Sequence, residues 1–445
     1  MNIPAVKSAL SGRLSPQATQ QLMALAALVI LYVYFAIFGR RFLSPSTFVS
    51  ILDSSYYIGF LAIGMTFVII TAGIDLSSGT VMVGSALVGG VAYNVWHLPI
   101  AVSLLVVLLT GVLFGVGNGV LVGFLHLPPF IATLGMQFVS LGLCAVIAQV
   151  QTQTYPSLVS PDGWFKKVLY KANSLPVGII WLAAFFAVAW FILKRTKLGR
   201  YTYAIGSNEE AVELSGVMVS TWKFWVYVLN GFFCGLAGII YAATFSSITP
   251  QTGNGQEMYA IAACVIGGTS LAGGVGSLWG TIIGVFVISV LKTGLLSMGL
   301  PVQWQQCLIG VVVTVVLAAA LLLASRPILG MFTADPDVIA LATGIARIIG
   351  PCYMLFALME IVSSSIRGAG RALPPMIIIV SALCAMRVVL LMALPKVFGT
   401  VSRVALLYPL SWMVTDALLL GYLLARRAVL WGGPTGRAPG AHGPC

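Results

Sequence analysis

Long apolar runs separated by short polar connections make up most of the chain. A straight transmembrane helix needs about 20 consecutive apolar residues, and runs near this length recur throughout. Their continuity indicates helices, because barrel strands would show short alternating segments. We predict an all-α, polytopic membrane bundle, with about ten spans and then three more, at 22–38, 51–72, 80–94, 99–116, 130–150, 176–193, 224–244, 257–272, 278–298, 302–323, 338–362, 373–394 and 403–424.

A polar cluster interrupts the apolar stretch between residues 60 and 93. It reads TAGIDLSSGT, residues 71–80. The simplest interpretation is structural: Gly73 lets the second span end, and Asp75 or Ser77 caps the start of the third. The functional interpretation makes Asp75 part of an inner gate or a contact with a partner. A lone carboxylate at a helix start is more often a cap, and the two roles are compatible.

The composition supports a membrane protein. The chain is 59% hydrophobic and 8% charged, whereas a soluble domain has about 25% charged residues. A net charge of +12 would suggest nucleic acid in a soluble protein. Here the cations lie mostly between apolar runs, where they set orientation, so we expect no nucleic-acid partner. With a cytoplasmic N-terminus, the cluster KRTKLGR (194–200) lies inside and the Asp75 turn is cytoplasmic.

The loop after this cluster contains a second polar feature. Ser207 and Glu210 fit an S-x-x-E capping box, with Glu209 in the same first turn, where the helix dipole favours anions. Gly216 stands where a C-terminal cap belongs. We predict a short helix from about Asn208 to Ser215. It is either a solvated connector or a helix that a partner grips, and its position in the longest cytoplasmic loop favours docking.

This loop resembles the coupling-helix region of ABC-importer permeases, and GRYTYAIGSNEEAVELSG resembles the ribose-type sugar permeases in particular. Four other segments have counterparts in the same family, and the resemblance covers about residues 20–315. The four segments are GMTFVIITAGIDLSSG (64–79), NGVLVGFLHLPPFIATLG (118–135), IAACVIGGTSLAGGVGSLWGTIIG (261–284) and WQQCLIG (304–310).

The resemblance implies a permease subunit in the bacterial inner membrane. Its partners would be a cytoplasmic ATPase, a periplasmic sugar-binding protein and a second permease copy, identical or similar. Sequence agrees with this division of work, because the chain has no G-x-x-x-x-G-K-[ST]. We therefore expect that it binds no cofactor, that a partner uses the ATP, and that it is not an enzyme. The residues expected to couple to the ATPase are Ser207, Asn208, Glu209, Glu210, Ala211 and Gly216.

Polar residues within apolar segments are candidates for a translocation pathway. Each is at least as readily explained by a hydrogen bond between helices. Seven glycines between residues 267 and 284 would allow close packing or a broken segment. The residues that we assign to the pathway or a gate are Asp75, Ser77, Asn118, Thr133, Glu257 and Thr269.

The tail, about residues 316–427, resembles the multidrug and toxin extrusion (MATE) transporters. Segments 331–342 and 365–375, with Arg387 and a last span at 403–427, carry the likeness. It corresponds to about the final four helices of a twelve-helix fold, so antiport by the tail alone is not expected. Helix 302–323 would need opposite orientations in the two families, which suggests a recent gene fusion or a mis-joined reading frame rather than an evolved unit. The predicted layout is an N-terminal segment (1–21), a permease domain (22–323), a MATE-like part (324–427) and a disordered end (428–445).

Three hypotheses follow. The leading one is a permease for a ribose-type monosaccharide. The second is a multidrug antiporter driven by Na⁺ or H⁺ through the tail, and the third is an inactive fusion product.

Overall fold

The structure, a computed structural model, divides into two compact units, Met1–Ile309 and Gly310–Cys445. Ten helices in the described parts are long and apolar enough to cross a membrane. The predicted helical, polytopic fold class is confirmed. The chain is therefore a multi-pass membrane protein. The residues that the structure describes are 16–171, 176–299, 335–368, 373–393 and 400–425.

The first half of unit 1 contains five helices. A π-helical turn, Val120–Phe124, extends the fourth of them. The helices are α1 Pro16–Phe38, α2 Pro45–Ile70, α3 Ser78–Asn94, α4 Ile100–Gly119 and α5 Pro129–Ile147.

The second half of unit 1 adds seven helices and a two-stranded antiparallel pair, β1 Gln153–Thr154 with β2 Ser247–Ile248. The predicted span 302–323 lies outside the described residues. The helices are α6 Trp164–Leu169, α7 Gly178–Arg195, α8 Lys197–Ser207, α9 Glu209–Leu214, α10 Val219–Thr244, α11 Gln256–Ile266 and α12 Leu278–Ser297.

Helices α2 and α10 form the centre of unit 1, and most of their residues are buried. Helices α1, α5 and α7 have few buried residues. Apolar residues on the outside suit contact with lipid, which does not penalise them. The core of unit 1 is thus built around these two helices and α3, whose residues are nearly all buried.

Helices α4 and α10 approach each other through glycines. A Cβ at Gly115 of α4 would lie 2.8 Å from the Cα of Gly231 in α10. A Cβ at Gly111 would lie 2.6 Å from the backbone nitrogen of Gly235. Small residues let helix backbones come this close within a membrane. The two helices are therefore in backbone contact along two turns.

The span predicted at 257–272 is wrong in its second half. Helix α11 ends at Ile266, and an irregular segment, residues 267–277, follows it. We call this segment the glycine turn. Its Gly268, Gly273 and Gly274 have φ of +95°, +85° and +71°, a conformation that side chains other than glycine rarely adopt. The apolar pattern continues through the segment, but the backbone cannot continue as a helix.

Unit 2 contains the three spans predicted for the tail, now at Pro336–Ser363, Pro374–Ala393 and Arg403–Ala425. Its apolar core joins Met359, Val362, Ile366, Trp412 and Leu419. The helices are α13 Pro336–Ile349, α14 Tyr353–Gly368, α15 Leu373–Val380, α16 Met386–Ala393, α17 Val401–Ala405 and α18 Leu407–Ala425. The predicted disordered end, 428–445, lies outside the described residues.

Candidate functional site

The break between α2 and α3 is a tight turn inside unit 1. Helix α2 ends at Ile70, and Ala72 has φ +61°, which costs a residue with a Cβ about 1–2 kcal/mol. Gly73 was predicted to let the second span end, but the residue that takes the left-handed conformation after the helix is Ala72. Gly73 instead makes room for Tyr227, whose hydroxyl would lie 2.7 Å from a Cβ there.

Asp75 lies in this turn with 3% of its surface exposed. Its Oδ1 accepts hydrogen bonds from the backbone N–H of Ser77 at 2.8 Å and from the Ser77 hydroxyl at 2.6 Å. Ser77 is at the N-cap position of α3 but makes no side-chain cap bond. Of the two predicted caps, Asp75 is therefore the one that supplies the acceptor.

The second carboxylate oxygen joins the turn to two distant helices. Asp75 Oδ2 accepts from the side-chain amide of Asn230 in α10 at 2.7 Å and from that of Asn118 in α4 at 3.2 Å. Asn118 also donates to the Ser77 hydroxyl at 2.8 Å, and Asn230 donates to the Ser78 hydroxyl at 3.2 Å. We call these five residues the aspartate cluster.

The aspartate cluster lies well within the helices. Asn230 follows Val219, the first residue of α10, by eleven positions, or about 16 Å at 1.5 Å per residue. The turn between α2 and α3 thus returns into the bundle. It does not lie exposed at the end of the helices, as a simple connection between two spans would.

The carboxyl group of Asp75 accepts four hydrogen bonds, two from Ser77, one from Asn230 and one from Asn118. Donors aimed at a carboxylate favour its charged form. Hydrogen bonds to an ionised acceptor are about twice as strong as neutral ones. The aspartate cluster therefore holds three segments of the chain on one carboxyl group.

Several acceptor atoms beside this carboxyl group are left unpaired. Among the described residues, Asn118 Oδ1 and Asn230 Oδ1 have no hydrogen-bond partner, nor does the hydroxyl of Tyr227. Buried polar atoms are normally hydrogen-bonded. These atoms can therefore accept hydrogen bonds from hydroxyl groups that enter when the helices move. After a side-chain rotation they can also accept from donors on adjacent side chains.

Thr133 of α5 is attached to the same turn. Its hydroxyl oxygen accepts from the backbone N–H of Leu76 at 3.1 Å and donates to the Pro129 carbonyl at 2.8 Å. The carbonyl of Ile74 lies 3.2 Å from the same oxygen. Four residues predicted for the pathway or gate, Asp75, Ser77, Asn118 and Thr133, thus meet at one place, although their role remains a prediction.

Glu257 and Thr269 are buried outside the aspartate cluster, although Glu257 lies beside Gly79, the residue that follows Ser78. Glu257, in the first turn of α11, accepts from the Gly255 N–H at 3.2 Å and from the Gln137 amide at 3.4 Å, both through Oε1. Its Oε2 and the hydroxyl of Thr269 in the glycine turn have no partner within the described residues. Nor does any hydrogen bond there link these two residues to the aspartate cluster.

The short helix predicted at 208–215 exists as α9, Glu209–Leu214. Its N-cap is Asn208, whose Oδ1 accepts from the Ala211 N–H at 2.9 Å. The Ser207 capping box is wrong, because Ser207 still belongs to α8 and donates to the Tyr203 carbonyl at 2.9 Å. Gly216 has φ +84°, as expected of a residue that follows a helix end.

Helix α9 presents a surface that the rest of the described chain leaves open. The six predicted coupling residues, 207–211 and 216, are all exposed. Leu214 and Met218 are 89% and 73% exposed. Glu209 forms an ion pair of 2.7 Å with Lys223 at the start of α10. Acidic side chains beside exposed apolar ones are suited to binding another protein.

Helix α8 connects this surface to the Asp75 turn. Gly206, near its end, lies against the Ile70 carbonyl, where a Cβ would collide with backbone atoms. The same carbonyl accepts from the Gly274 N–H at 2.9 Å, and the Tyr203 hydroxyl donates to the Gly276 carbonyl at 2.8 Å. Sequence reasoning did not single out Gly206, since the only signal is one glycine just before the polar loop.

The structure thus shows a buried carboxyl group that holds a broken helix pair, and an exposed capped helix, α9, that directly follows α8, whose Gly206 packs against the end of α2. The profile of the family described as "branched-chain amino acid transport system / permease component" matches residues 47–317, more than half of the chain. The chain belongs to this permease family. Its match includes the aspartate cluster, α8 and α9.

Similar curated proteins are import permeases. The ribose import permease of Haemophilus influenzae is 38% identical over 295 residues, 66% of this chain and 90% of that protein. The fructose import permease of Rhizobium meliloti is 34% identical over 68% of this chain and 85% of its own length. An autoinducer 2 import permease of Yersinia pestis is 35% identical over 66% and 82%. No solved structure matches the chain.

A second profile, that of the MatE family, matches residues 299–392 of this permease. The predicted resemblance of the tail, about residues 316–427, to MATE transporters is thereby confirmed, with different bounds. The two matches share residues 299–317. The segment predicted as the last permease span therefore falls partly within both families.

Proposed function

We propose that this chain is the membrane permease of an ATP-driven importer for a ribose-type monosaccharide. In this proposal it lies in the bacterial inner membrane and acts with a second permease copy, identical or similar. A periplasmic binding protein delivers the sugar, and a separate cytoplasmic ATPase supplies the energy. The chain itself binds no nucleotide or other cofactor. The names of the relatives support the class of cargo, since two are sugar permeases.

One observation carries the proposal: the exposed, capped helix α9 directly follows α8, which is in backbone contact with the end of α2, beside the turn that holds the aspartate cluster. A docked ATPase would pull or push on α9. Helix α8 would pass that displacement to Ile70 through Gly206. Because Ile70 is five residues before Asp75, the turn would then shift against Asn118 and Asn230.

The chemistry near the turn suits a neutral, hydroxyl-rich cargo. The free acceptors Asn118 Oδ1 and Asn230 Oδ1 can receive hydroxyl hydrogen bonds. Thr133 and Ser77 are themselves hydroxyl side chains in the same place. We assign Asp75, Ser77, Asn118 and Thr133 to a gate, and place Glu257 and Thr269 along the pathway without a direct link to it. Amide and hydroxyl groups such as these can hydrogen-bond the hydroxyls of a sugar without a full counter-charge.

Uptake tests the proposal. ATP-dependent sugar uptake is measured in cells that lack their own permease, with the matching ATPase and binding protein co-expressed. The intact chain is compared with one cut after Ala324. Uptake by both establishes the permease and leaves the tail without a role in import. Uptake by the cut chain alone means that the tail inhibits. No uptake from either, with normal membrane insertion, contradicts the proposal.

Charge reversal on α9 tests the docking surface. Glu209→Lys with Glu210→Lys should abolish uptake and co-purification of the ATPase, while insertion is retained. The matched control is Asp335→Lys with Asp337→Lys, which makes the same charge change at the start of α13 in unit 2. Wild-type uptake in the α9 double variant would show that the ATPase does not dock there.

Ion-driven antiport through the tail is the second candidate. The MatE match supports it, and so does Asp416 in α18. That residue is 4% exposed, and neither of its carboxylate oxygens has a partner among the described residues. An unpaired carboxyl group inside a membrane span is often functional. Drug efflux driven by a Na⁺ or H⁺ gradient, lost in Asp416→Asn and independent of any ATPase, would favour this candidate.

A further inference from the structure

An apolar groove runs along the outside of unit 1, between α4, α8 and α10. Its volume is about 550 Å³, and every side chain that lines it is apolar. Trp225 forms part of its wall and is 51% exposed. The principal lining residues are Val112, Leu198, Trp222, Trp225, Leu229 and Phe232.

The length of the groove matches one leaflet of a bilayer. From Trp222 to Phe232 it follows α10 for ten residues, about 15 Å at 1.5 Å per residue. The hydrocarbon core of a bilayer is about 30 Å thick. The groove begins one turn after Val219, the start of α10. It therefore extends from the end of that helix to about the middle of the membrane.

The mouth of the groove lies beside a cluster of cations. Leu198 lines the groove and directly follows Lys197 on α8. Tyr201, one turn further along α8, has its ring 4.7 Å from that of Trp222. The cationic side chains of this segment, all exposed, are Lys194, Arg195, Lys197 and Arg200.

The neighbouring acidic residues do not cancel this charge. Glu209 is paired with Lys223, which leaves Glu210 and Glu213 on α9. The four cations of 194–200 thus stand against Glu210 and Glu213, which leaves a local excess of two positive charges within the described residues. An anion at the mouth of the groove would therefore meet a net positive surface next to the apolar lining.

We propose that the groove binds an anionic phospholipid, with one acyl chain along α10 and its phosphate headgroup at Lys197 and Arg200. The apolar wall matches an acyl chain, and the cations match a headgroup of net negative charge. Indole rings near the ends of membrane helices suit the boundary between lipid tails and headgroups. The inference is independent of the cargo, since it involves none of the residues assigned to the gate.

Fluorescence quenching by brominated lipids tests this site. The full chain is placed in phosphatidylcholine vesicles that contain increasing fractions of either dibrominated phosphatidylglycerol or dibrominated phosphatidylcholine. Bromine quenches an indole that it contacts, and the difference between wild type and Trp225→Phe isolates the Trp225 signal. We expect half-quenching of Trp225 at a much lower fraction of the phosphatidylglycerol than of the phosphatidylcholine.

Removal of the cations should abolish the preference for phosphatidylglycerol. Each cation near the surface strengthens binding of an anionic lipid about fivefold. Lys197→Gln with Arg200→Gln should therefore raise the half-quenching fraction of phosphatidylglycerol by up to about 25-fold. The matched control is Arg40→Gln with Lys167→Gln, two exposed cations in other loops of unit 1, which should change nothing.

Three results would overturn the proposal. Equal quenching of Trp225 by both lipids, or an equal shift in the control, would mean that the groove contacts lipid without selecting a headgroup. Absence of Trp225 quenching by either lipid would mean that protein fills the groove, either another segment of this chain or a partner subunit. The quenching of the remaining tryptophans reports in each case that the chain is inserted.

Discussion

Replacement of Asp75 by alanine should destabilise unit 1 more than replacement by asparagine. Asp75→Ala removes the acceptor of the Ser77 N–H, which lies 2.8 Å away. It also removes the nearer of the two acceptors of the Asn230 amide, which lies 2.7 Å away. A buried donor left unpaired costs about 1–3 kcal/mol. Two such donors lower the free energy of unfolding by about 2–6 kcal/mol. The loss is at the lower end of this range if removal of the buried charge offsets part of it.

Asp75→Asn should cost much less, for a reason that the structure supplies. Its Oδ1 still accepts from Ser77, while its new NH₂ group faces the amides of Asn118 and Asn230. Because Asn118 Oδ1 and Asn230 Oδ1 are unpaired, rotation of either amide turns an acceptor toward the new donor. The expected net loss is about one hydrogen bond, or about 1 kcal/mol.

Thermal unfolding of the purified chain, followed by size exclusion, ranks the variants. Ser289→Ala is the matched control, since Ser289 is fully buried and its hydroxyl has no partner among the described residues. We expect Asp75→Ala to unfold first, Asp75→Asn later, and the control together with wild type. If Asp75→Ala unfolds with the control, or no earlier than Asp75→Asn, the hydrogen-bond reasoning is refuted. Sugar uptake by Asp75→Asn then tests whether the negative charge itself is needed.

Two other predictions concern the path from α9 to this turn. Gly206→Ala should block uptake and lower the free energy of unfolding by about 1–3 kcal/mol through overpacking, because its Cβ meets the backbone of Ile70. The control is Gly142→Ala, whose Cβ meets nothing within 4 Å and which should leave uptake and unfolding temperature unchanged. Equal behaviour of the two variants would contradict the contact between Gly206 and Ile70. Asn208→Ala should lower ATPase co-purification by removing a cap worth about 1 kcal/mol, whereas Ser207→Ala should not, and the reverse order would place the cap at Ser207 after all.

The short helix shows how far local sequence rules reach. They predicted its existence and its glycine end correctly, because S-N-E-E and Gly216 are strong start and stop signals. They misplaced the cap by one residue, since Ser207 and Asn208 are both good N-cap residues. Asn208 is the cap because α8 continues through Ser207, whose hydroxyl donates to the carbonyl of Tyr203. Sequence alone does not show where the preceding helix ends.

Asp75 shows where those rules stop. Its role as a cap follows from its neighbour Ser77, and that part was predictable. Its bonds to Asn118 and Asn230 join residues 43 and 155 positions away. A local pattern can mark each asparagine as a polar residue in an apolar run, but it cannot bring them together. The same limit applies to Gly206, whose small size matters only because the Ile70 carbonyl lies against it.

The close contact of α4 with α10 has a consequence for movement during transport. Backbones that touch at Gly111, Gly115, Gly231 and Gly235 cannot slide or tilt against each other without collision. In the proposed importer, these two helices would therefore move as one rigid unit. Each carries one asparagine whose side-chain amide donates to Asp75, so these two donors would stay at a constant separation while the turn between α2 and α3 moves. Transport would then proceed as Asp75 changes which of the two asparagines it bonds, while α4 and α10 keep their relative positions.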